Sequence, residues 1–195
     1  MKELKEYIRS IPDFPEKGII FRDVTSVLQD ADALKLSIDE LAKRLEGVDF
    51  DVIAGAESRG FIFGAPLAYV MHKPFVPIRK KGKLPCETVE KTYDLEYGTA
   101  TIEMHKDAIQ KGEKVVLLDD LIATGGTMKA AAELVEELGG EVVKMLFLIE
   151  LSDLNGREVL KDYDRRKRNK RMDKSPSRYG AHDGVLYGCG GLSNI

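Results

Sequence analysis

The chain has 195 residues, 43% of them hydrophobic and 32% charged, and its net charge is −3 at pH 7. This mix is typical of one globular domain, or of one domain with a small appendage, and excludes fibrous and low-complexity classes. The two cysteines lack C-x-x-C spacing, which excludes a disulfide framework and a zinc knuckle, and no apolar run approaches the ~20 residues of a membrane span. We therefore expect a reduced, cytoplasmic protein that does not bind membranes.

In the first part of the chain, helical and strand-like patterns alternate. Leu34, Ile38, Leu41 and Leu45 recur at helical spacing, whereas FDVIAG is a short apolar run typical of a buried strand. The predicted elements are a short amphipathic helix over 2–9, a Pro- and Gly-rich loop, a helix over 34–45, a strand over 50–55, a helix over 58–71 and a strand over 74–78.

The alternation continues after a polar segment. Residues 79–96 show no period, so we predict a long loop there. Strands follow over 99–104, 114–120 and 141–151, and a helix containing Met128, Leu134 and Leu138 lies between the last two. Near-continuous apolar strands that alternate with helices predict an α/β fold with a mostly parallel central sheet flanked by helices.

The segment Val115–Thr127, VVLLDDLIATGGT, carries the clearest chemistry. A buried strand leads through a short loop to Gly125 and Gly126 and then to a helix. Glycines let backbone N–H groups approach an anion, and a helix N-terminus supplies further unpaired N–H donors. Because Thr124 and Thr127 add hydroxyl donors, we predict that this loop binds a phosphate monoester.

Two acids, Asp119 and Asp120, end the same strand. They would repel a phosphate unless they face another group, and vicinal hydroxyls are suitable because carboxylates accept their hydrogen bonds. A phosphate monoester and a vicinal diol are the two groups that ribose 5-phosphate presents, so the sequence predicts a site for this sugar phosphate. The alternative is a plain turn followed by a helix cap, which the order of strand, acids, glycines and helix argues against. The segment matches neither the Walker A loop nor the dinucleotide fingerprint.

VVLLDDLIATGGT resembles the phosphoribosyl-diphosphate (PRPP) motif of type I phosphoribosyltransferases. Three further segments resemble the adenine phosphoribosyltransferase subfamily: FPEKGIIFRDVTSVL (14–28), AESRGFIFGAPLA (56–68) and PIRKKGKLPCETVEKTYDLEYGTATIEMHKDAI (77–109). The resemblance implies the type I fold with a small N-terminal hood over about 1–30. It also implies purine salvage from adenine and PRPP to AMP and diphosphate, a homodimer, and Mg²⁺ carried by PRPP without a direct protein site.

The hood is the predicted base site. A flat purine needs an apolar face to stack on, worth ~1–3 kcal/mol, and Phe21 in a Pro- and Gly-bounded loop offers one. In the family this loop covers adenine, so the resemblance assigns base binding to Ile20, Phe21 and Arg22. The alternative is that Phe21 only packs against the first helix.

Cations follow two of the predicted strands. Arg59 lies in the turn after the strand 50–55, and Arg79, Lys80 and Lys83 open the long loop. Positive charge near a departing diphosphate favours catalysis, and the resemblance assigns catalytic roles to Arg59, Arg79 and Lys83. The alternatives are a surface ion pair for Arg59 and a solvated basic run for the others.

The resemblance assigns proton transfer to Glu103, because adenine must lose a proton as it attacks the sugar. Judged as an isolated feature, Glu103 is equally well explained as an exposed strand residue. Tyr97 is expected to help close the loop over the site. The residues implied for PRPP and AMP binding are Asp119, Asp120, Ala123, Thr124, Gly125, Gly126, Thr127, Lys80 and Tyr97.

The last segment departs from the family pattern. Residues 165–195 contain eight basic and two acidic residues and lack apolar periodicity, so we place the domain in 1–164 and predict a poorly ordered tail without the family's final strand. Two other functions stay open: another purine phosphoribosyltransferase, and a PRPP-sensing regulator that binds nucleic acid through this tail. The acidic body and the absence of a helix-turn-helix pattern make nucleic-acid binding the weaker alternative.

Overall fold

A computed structural model of the chain describes residues 3–14, 16–95, 98–171 and 185–189. Its elements, in chain order, are β1 (Arg9–Pro12), β2 (Ile20–Asp23), α1 (Thr25–Leu28), α2 (Ala31–Lys43), β3 (Val52–Ala56), α3 (Arg59–Val70), β4 (Phe75–Lys80), β5 (Thr88–Asp94), β6 (Thr99–His105), β7 (Lys114–Ile122), α4 (Gly126–Glu137), β8 (Glu141–Leu151), α5 (Gly156–Arg171) and β9 (Val185–Cys189). Short 3₁₀ turns occupy Leu4–Glu6 and Ser152–Leu154.

Seven strands form the central sheet, in the order β5-β6-β4-β3-β7-β8-β9. Strands β4, β3, β7, β8 and β9 run parallel, and β6 joins β4 in antiparallel orientation and carries β5 at the edge. The predicted α/β class with a mostly parallel sheet is confirmed. The short strands β1 and β2 form a separate antiparallel pair near the N-terminus.

Each face of the sheet has its own hydrophobic core. On one face, α4 and α5 pack over Val52, Leu117 and Phe147, and on the other, α2 and α3 pack over Ile53, Val116 and Leu148. Alternate residues of one strand therefore enter different cores, which explains the near-continuous apolar runs of β3, β7 and β8. The carboxyl ends of the parallel strands lie along one edge of the central sheet, which is where open α/β sheets bind their ligands.

Two predicted elements are wrong in part. The N-terminal helix over 2–9 is reduced to a single 3₁₀ turn, and Arg9 already belongs to β1. The loop over 79–96 contains β5, which pairs with β6 over seven residues. The strand pattern is obscured because a charged residue, Lys91, lies on the same inward side as Val89 and Tyr93 and interrupts the apolar alternation. Lys91 is accommodated there by an ion pair with Glu133 of α4.

The segment after residue 164 contains regular structure that the sequence did not predict. Helix α5 crosses the predicted domain boundary and ends at Arg171, and β9 pairs in parallel with β8. The expectation that the final strand is missing is therefore wrong, because β9 covers the backbone edge of β8. The predicted disorder of the tail stays a prediction, since residues 172–184 and 190–195 lie outside the described residues.

Candidate active site

The loop between β7 and α4 has the geometry that its glycines predict. Gly125 adopts the left-handed conformation, with φ 82°, and α4 begins directly after it. A Cβ at Gly125 would lie 2.7 Å from the carbonyl oxygen of Gly156, at the start of α5, so space as well as conformation demands glycine there. The first N–H groups of α4 have no helical partner, which leaves them available to an anion.

A cavity of about 350 Å³ opens at this end of the sheet. This volume is within the range of small-molecule sites. Seven of the predicted site residues line it: Arg59, Asp119, Asp120, Ala123, Thr124, Gly125 and Thr127. Gly126 lies between two of these residues, at the first position of α4. The predicted phosphate and ribose residues are therefore adjacent in space as well as in sequence.

The two acids of the cavity differ in their surroundings. The Asp120 residue is 4% exposed, and its carboxylate forms an ion pair with the Nε of Arg59. Asp119 accepts a hydrogen bond of 2.9 Å from the backbone N–H of Asp120. Burial, followed by the neighbouring Asp120 carboxylate, raises the pKa of Asp119 well above its ordinary value. The site thus holds one carboxylate paired with a cation and another that resists ionisation.

A glycine explains how Arg59 reaches this pair. A Cβ at Gly60 would lie 2.9 Å from the carbonyl oxygen of Leu118 and 3.2 Å from Oδ1 of Asp119. Only glycine lets the first turn of α3 pack this closely against the end of β7. The segment Glu57–Gly60 therefore packs closely against the end of β7, and this packing brings Arg59 beside Asp120.

The predicted base-binding residues lie outside the lining of this cavity as far as the described residues define it. Ile20, Phe21 and Arg22 belong to β2, where the ring of Phe21 meets Phe14 edge to face with centroids 5.3 Å apart. Arg22 donates a hydrogen bond to the hydroxyl of Ser10. Base binding by this hood stays a prediction.

One charge connects the hood to the cavity. A hydrogen bond from the Thr25 hydroxyl holds the pKa of Asp23 below its ordinary value, and the Arg59 guanidinium is among the smaller causes. Asp23 is the last residue of β2, so the end of the hood strand lies within electrostatic range of the cavity.

The predicted cations of the basic segment also lie beside the cavity, outside its described lining. Arg79 is bound to Glu57, a lining residue, with Nε 3.2 Å from Oε2. The backbone N–H of Lys80 donates to the same Oε2 at 2.9 Å. Burial would raise the pKa of Glu57, but these hydrogen bonds outweigh it and hold the pKa below its ordinary value. Glu57 therefore ties the basic segment to the cavity wall.

Glu103 does not reach the cavity in the described structure. It is 3% exposed, and its Oε1 accepts hydrogen bonds of 2.8 Å from the backbone N–H groups of Lys83 and Leu84. One carboxylate oxygen therefore already accepts two backbone hydrogen bonds, and proton transfer by this residue stays a prediction. The alternative of an exposed strand residue is wrong. Tyr97, the remaining predicted site residue, lies outside the described residues.

The adenine phosphoribosyltransferase of Agathobacter rectalis is 79% identical to this chain over 164 residues, which cover 84% of this chain and 94% of the relative. The family model of the phosphoribosyl transferase domain matches residues 24–183. The chain belongs to the adenine phosphoribosyltransferase family. Among solved structures, the family member from Thermoanaerobacter pseudethanolicus is 50% identical, with a TM-score of 0.79, over 95% of this chain and 98% of that chain. The enzyme from Saccharomyces cerevisiae, complexed with an imino-altritol bisphosphate and adenine, is 42% identical, with a TM-score of 0.75, over 80% and 90% of the two chains.

Sequence reasoning missed several residues that line the adenine phosphoribosyltransferase cavity. Tyr93 of β5 accepts a hydrogen bond of 3.0 Å from the hydroxyl of Thr127, and Phe147 of β8 lies beside Asp119 in the sheet register. The alternation of Thr88–Asp94 was a signal for Tyr93, whereas a buried Phe in a central strand carries no functional signal. The missed lining residues are Glu57, Ser58, Tyr93, Leu121, Ile122, Met128 and Phe147.

Among the described residues of this phosphoribosyltransferase, no group of three or more His, Cys, Asp and Glu side chains is arranged to hold a metal ion. No helix in the described part of the chain combines the length and the apolar character of a membrane span. The family match extends to residue 183, and the predicted domain boundary at 164 stays a prediction.

Proposed function

We propose that this chain transfers the 5-phosphoribosyl group of PRPP to adenine, giving AMP and diphosphate in purine salvage. The single observation that carries the proposal is the cavity that the glycine-containing loop between β7 and α4 lines together with the carboxylates of Asp119 and Asp120. The family supports the same chemistry, and the relatives named above carry the name of this activity.

The loop between β7 and α4 and the two acids are expected to bind different parts of the sugar phosphate. We expect the 5-phosphate to accept hydrogen bonds from the N–H groups at the start of α4 and from the hydroxyls of Thr124 and Thr127. The ribose hydroxyls then donate to Asp119 and Asp120. To free Asp120, the Arg59 guanidinium must leave its ion pair, and the diphosphate of PRPP offers that guanidinium a new anionic partner.

Charge develops on the diphosphate as it leaves. Mg²⁺ is expected to enter with PRPP, since this cation prefers phosphate oxygens and water, and it would neutralise part of that charge. Because Asp119 and Asp120 are assigned to the ribose hydroxyls, such a metal would be held mainly by the oxygens of the substrate. Arg59, Lys80 and Lys83 supply the protein's own positive charge.

A direct assay tests this proposal. Purified protein is incubated with PRPP, Mg²⁺ and radiolabelled adenine, and AMP is separated from the base. We expect AMP to form with adenine and at least 100-fold less product with hypoxanthine under the same conditions. Product from hypoxanthine alone would reject adenine as the substrate but keep the class of reaction, whereas no product with any base would reject the reaction.

We further propose a homodimer that forms through α3. The exposed side of this helix is apolar, with Ile62 42%, Tyr69 87% and Val70 56% exposed, and such a patch is typical of an interface. The double change Ile62→Glu and Tyr69→Glu is expected to convert the dimer into a monomer in light scattering coupled to size exclusion. Val159→Glu, an exposed apolar residue of α5, is the matched control and should leave the dimer intact. A monomeric wild-type protein would contradict the proposal.

Cytoplasmic location is also proposed. Its support is the sequence, because two cysteines without C-x-x-C spacing are typical of chains from a reducing compartment.

A further inference from the structure

Glu103 is a buried residue on β6 whose carboxylate accepts hydrogen bonds from the backbone of the turn that follows β4. Its Oε1 lies 2.8 Å from the backbone nitrogens of both Lys83 and Leu84, and a backbone hydrogen bond from Gly82 also lowers the pKa of this carboxyl. Successive N–H groups that converge on one carboxylate form a small anion-binding concavity. Gly82 precedes the two donors with a φ of 81°, a conformation that favours glycine.

The same turn is held from its other side by Arg79. In the antiparallel register, Arg79 lies opposite Glu103, and its Nη1 donates to the carbonyl oxygen of Lys83 at 3.3 Å. Its Nε binds Glu57 on the cavity wall, and the N–H of Lys81 donates to the carbonyl oxygen of Thr101 at 3.0 Å. Both strands and the cavity wall therefore restrain one turn.

The charge of Glu103 is maintained although the residue is buried. Burial alone would raise its pKa, but the backbone hydrogen bonds from Gly82, Leu84 and Lys83 outweigh burial and hold the pKa below its ordinary value. A carboxylate whose pKa is lowered has no proton to give at neutral pH and is a weaker base than an ordinary Glu. One of its oxygens already accepts two backbone hydrogen bonds, an arrangement suited to holding a backbone.

The turn that Glu103 holds presents two cations. The side chains of Lys80 and Lys83 are exposed, and neither forms an ion pair with a described residue, whereas Lys81 is bound to Glu90 at 2.7 Å. The backbone N–H of Lys80 is anchored to Glu57, which lines the cavity. Lys80 and Lys83 are thus the available positive charges of the segment, and the backbone of Lys83 is held directly by Glu103.

We propose that Glu103 is a positioning residue that fixes the turn Lys81–Leu84 so that Lys83, beside the Glu57-anchored Lys80, meets the diphosphate of PRPP. This inference rests on the proposed function for its substrate. It assigns Glu103 no contact with adenine or with the reacting carbon. The role of Glu103 then requires only an oxygen atom that accepts the backbone hydrogen bonds. The affinity of that oxygen for a proton has no part in it.

Glu103→Gln and Glu103→Ala separate positioning from proton transfer. The Gln carbonyl oxygen accepts the same N–H bonds, so kcat/KM for PRPP should fall less than about 5-fold, with an unchanged pH profile. Ala leaves the donors without an acceptor, and the KM for PRPP should rise at least 10-fold while the Kd for AMP, which lacks the diphosphate, stays within 2-fold. A general acid or base would instead lose about 10²–10⁴-fold in kcat with either replacement, which would overturn the proposal.

Amide hydrogen exchange provides a readout that does not depend on activity. The amides of Lys83 and Leu84 should lose protection in Glu103→Ala and keep it in Glu103→Gln, with the rest of the sheet unchanged. Unchanged protection in the Ala protein would overturn the proposal even if the wild-type protein made no AMP. Should the Ala protein fail to fold, Glu103→Asp, one methylene shorter, is expected to show the same loss of protection and rise in KM.

Glu90→Ala is the matched control. Glu90 lies opposite Glu103 in the register of β5 and β6, but its carboxylate binds only the side chain of Lys81 among the described contacts. Its removal should change neither the KM for PRPP nor the protection of the turn. A KM rise equal to that of Glu103→Ala would mean that any lost charge on the hairpin has this effect, which would overturn the specific role of Glu103.

Discussion

Replacing Asp119 with asparagine is expected to lower the rate of AMP formation by about 10²–10³-fold and, at the same time, to stabilise the free protein by about 0.5–2 kcal/mol. The loss of rate follows from a weaker acceptor for the ribose hydroxyls. The gain in stability follows because burial and the Asp120 carboxylate disfavour the charge of Asp119 in the folded chain. An amide keeps an oxygen for the N–H of Asp120 and carries no charge.

The pH dependence of this effect has a definite sign. The unfolded chain ionises Asp119 near the ordinary value of 3.8, whereas the folded chain ionises it at a higher pH because the pKa is raised. Between the two values the folded state holds the additional proton, so its stability is favoured at low pH and falls as the pH rises through the folded pKa. The Tm advantage of Asp119→Asn should therefore grow with pH across this window.

Thermal unfolding of three variants checks the prediction. Asp119→Asn should raise the Tm at neutral pH, and Asp107→Asn, at an exposed position outside the cavity, should leave it unchanged. Asp120→Asn should not raise the Tm, because it removes the partner of the Arg59 guanidinium. If Asp119→Asn unfolds at a lower temperature than the wild type at neutral pH, the assigned cost of this buried charge is incorrect.

Gly156→Ala should impair the phosphate loop from a distance of about thirty residues in sequence. A Cβ at Gly156 would lie 2.3 Å from the carbonyl oxygen of Ala123 and 2.8 Å from Cγ1 of Ile122. A backbone oxygen cannot move aside without shifting the loop itself. We expect a loss of about 1–3 kcal/mol of stability, and a rise of about 10²-fold in the KM for PRPP if the loop is displaced by ~1 Å.

Gly140→Ala is the control for this prediction. Its Cβ would lie 2.7 Å from Cγ2 of Ile109 and 2.9 Å from Cγ1 of Val135, so it also overpacks the protein, but just beyond the C-terminal end of α4, whereas the phosphate loop lies at the N-terminal end of that helix. Urea unfolding should show a comparable loss for both variants, whereas steady-state kinetics should show the KM change for Gly156→Ala alone. Equal KM values in the two variants would remove the link between Gly156 and the loop.

The phosphate loop was predictable because everything it needs is local. A buried strand, two acids, two glycines and a helix follow one another between Val115 and Glu137, and their order alone determines which groups meet. The strands of the central sheet were predictable for a related reason. Both of their faces are buried, so each appears as a continuous apolar run bounded by glycine or charge.

The role of Glu103 was not predictable, because it depends on a pairing across the sheet. Glu103 contacts the turn at Gly82–Leu84 only because β6 lies antiparallel beside β4, with Glu103 opposite Arg79. No periodicity in the sequence predicts this register. Strand β5 was missed for a similar reason, since Lys91 is neutralised by Glu133 of a helix forty residues later. Long-range partners turned an apparently polar loop into a half-buried strand.

The hydrogen bond between Thr127 and Tyr93 joins the phosphate loop to the edge strand β5 of the sheet. Thr127 has one hydroxyl proton, which it donates to Tyr93. A bound phosphate would compete for that proton, so Tyr93 would lose this contact. The phosphate site and β5 therefore share one hydroxyl group, and β5 pairs with the β6 strand that carries Glu103.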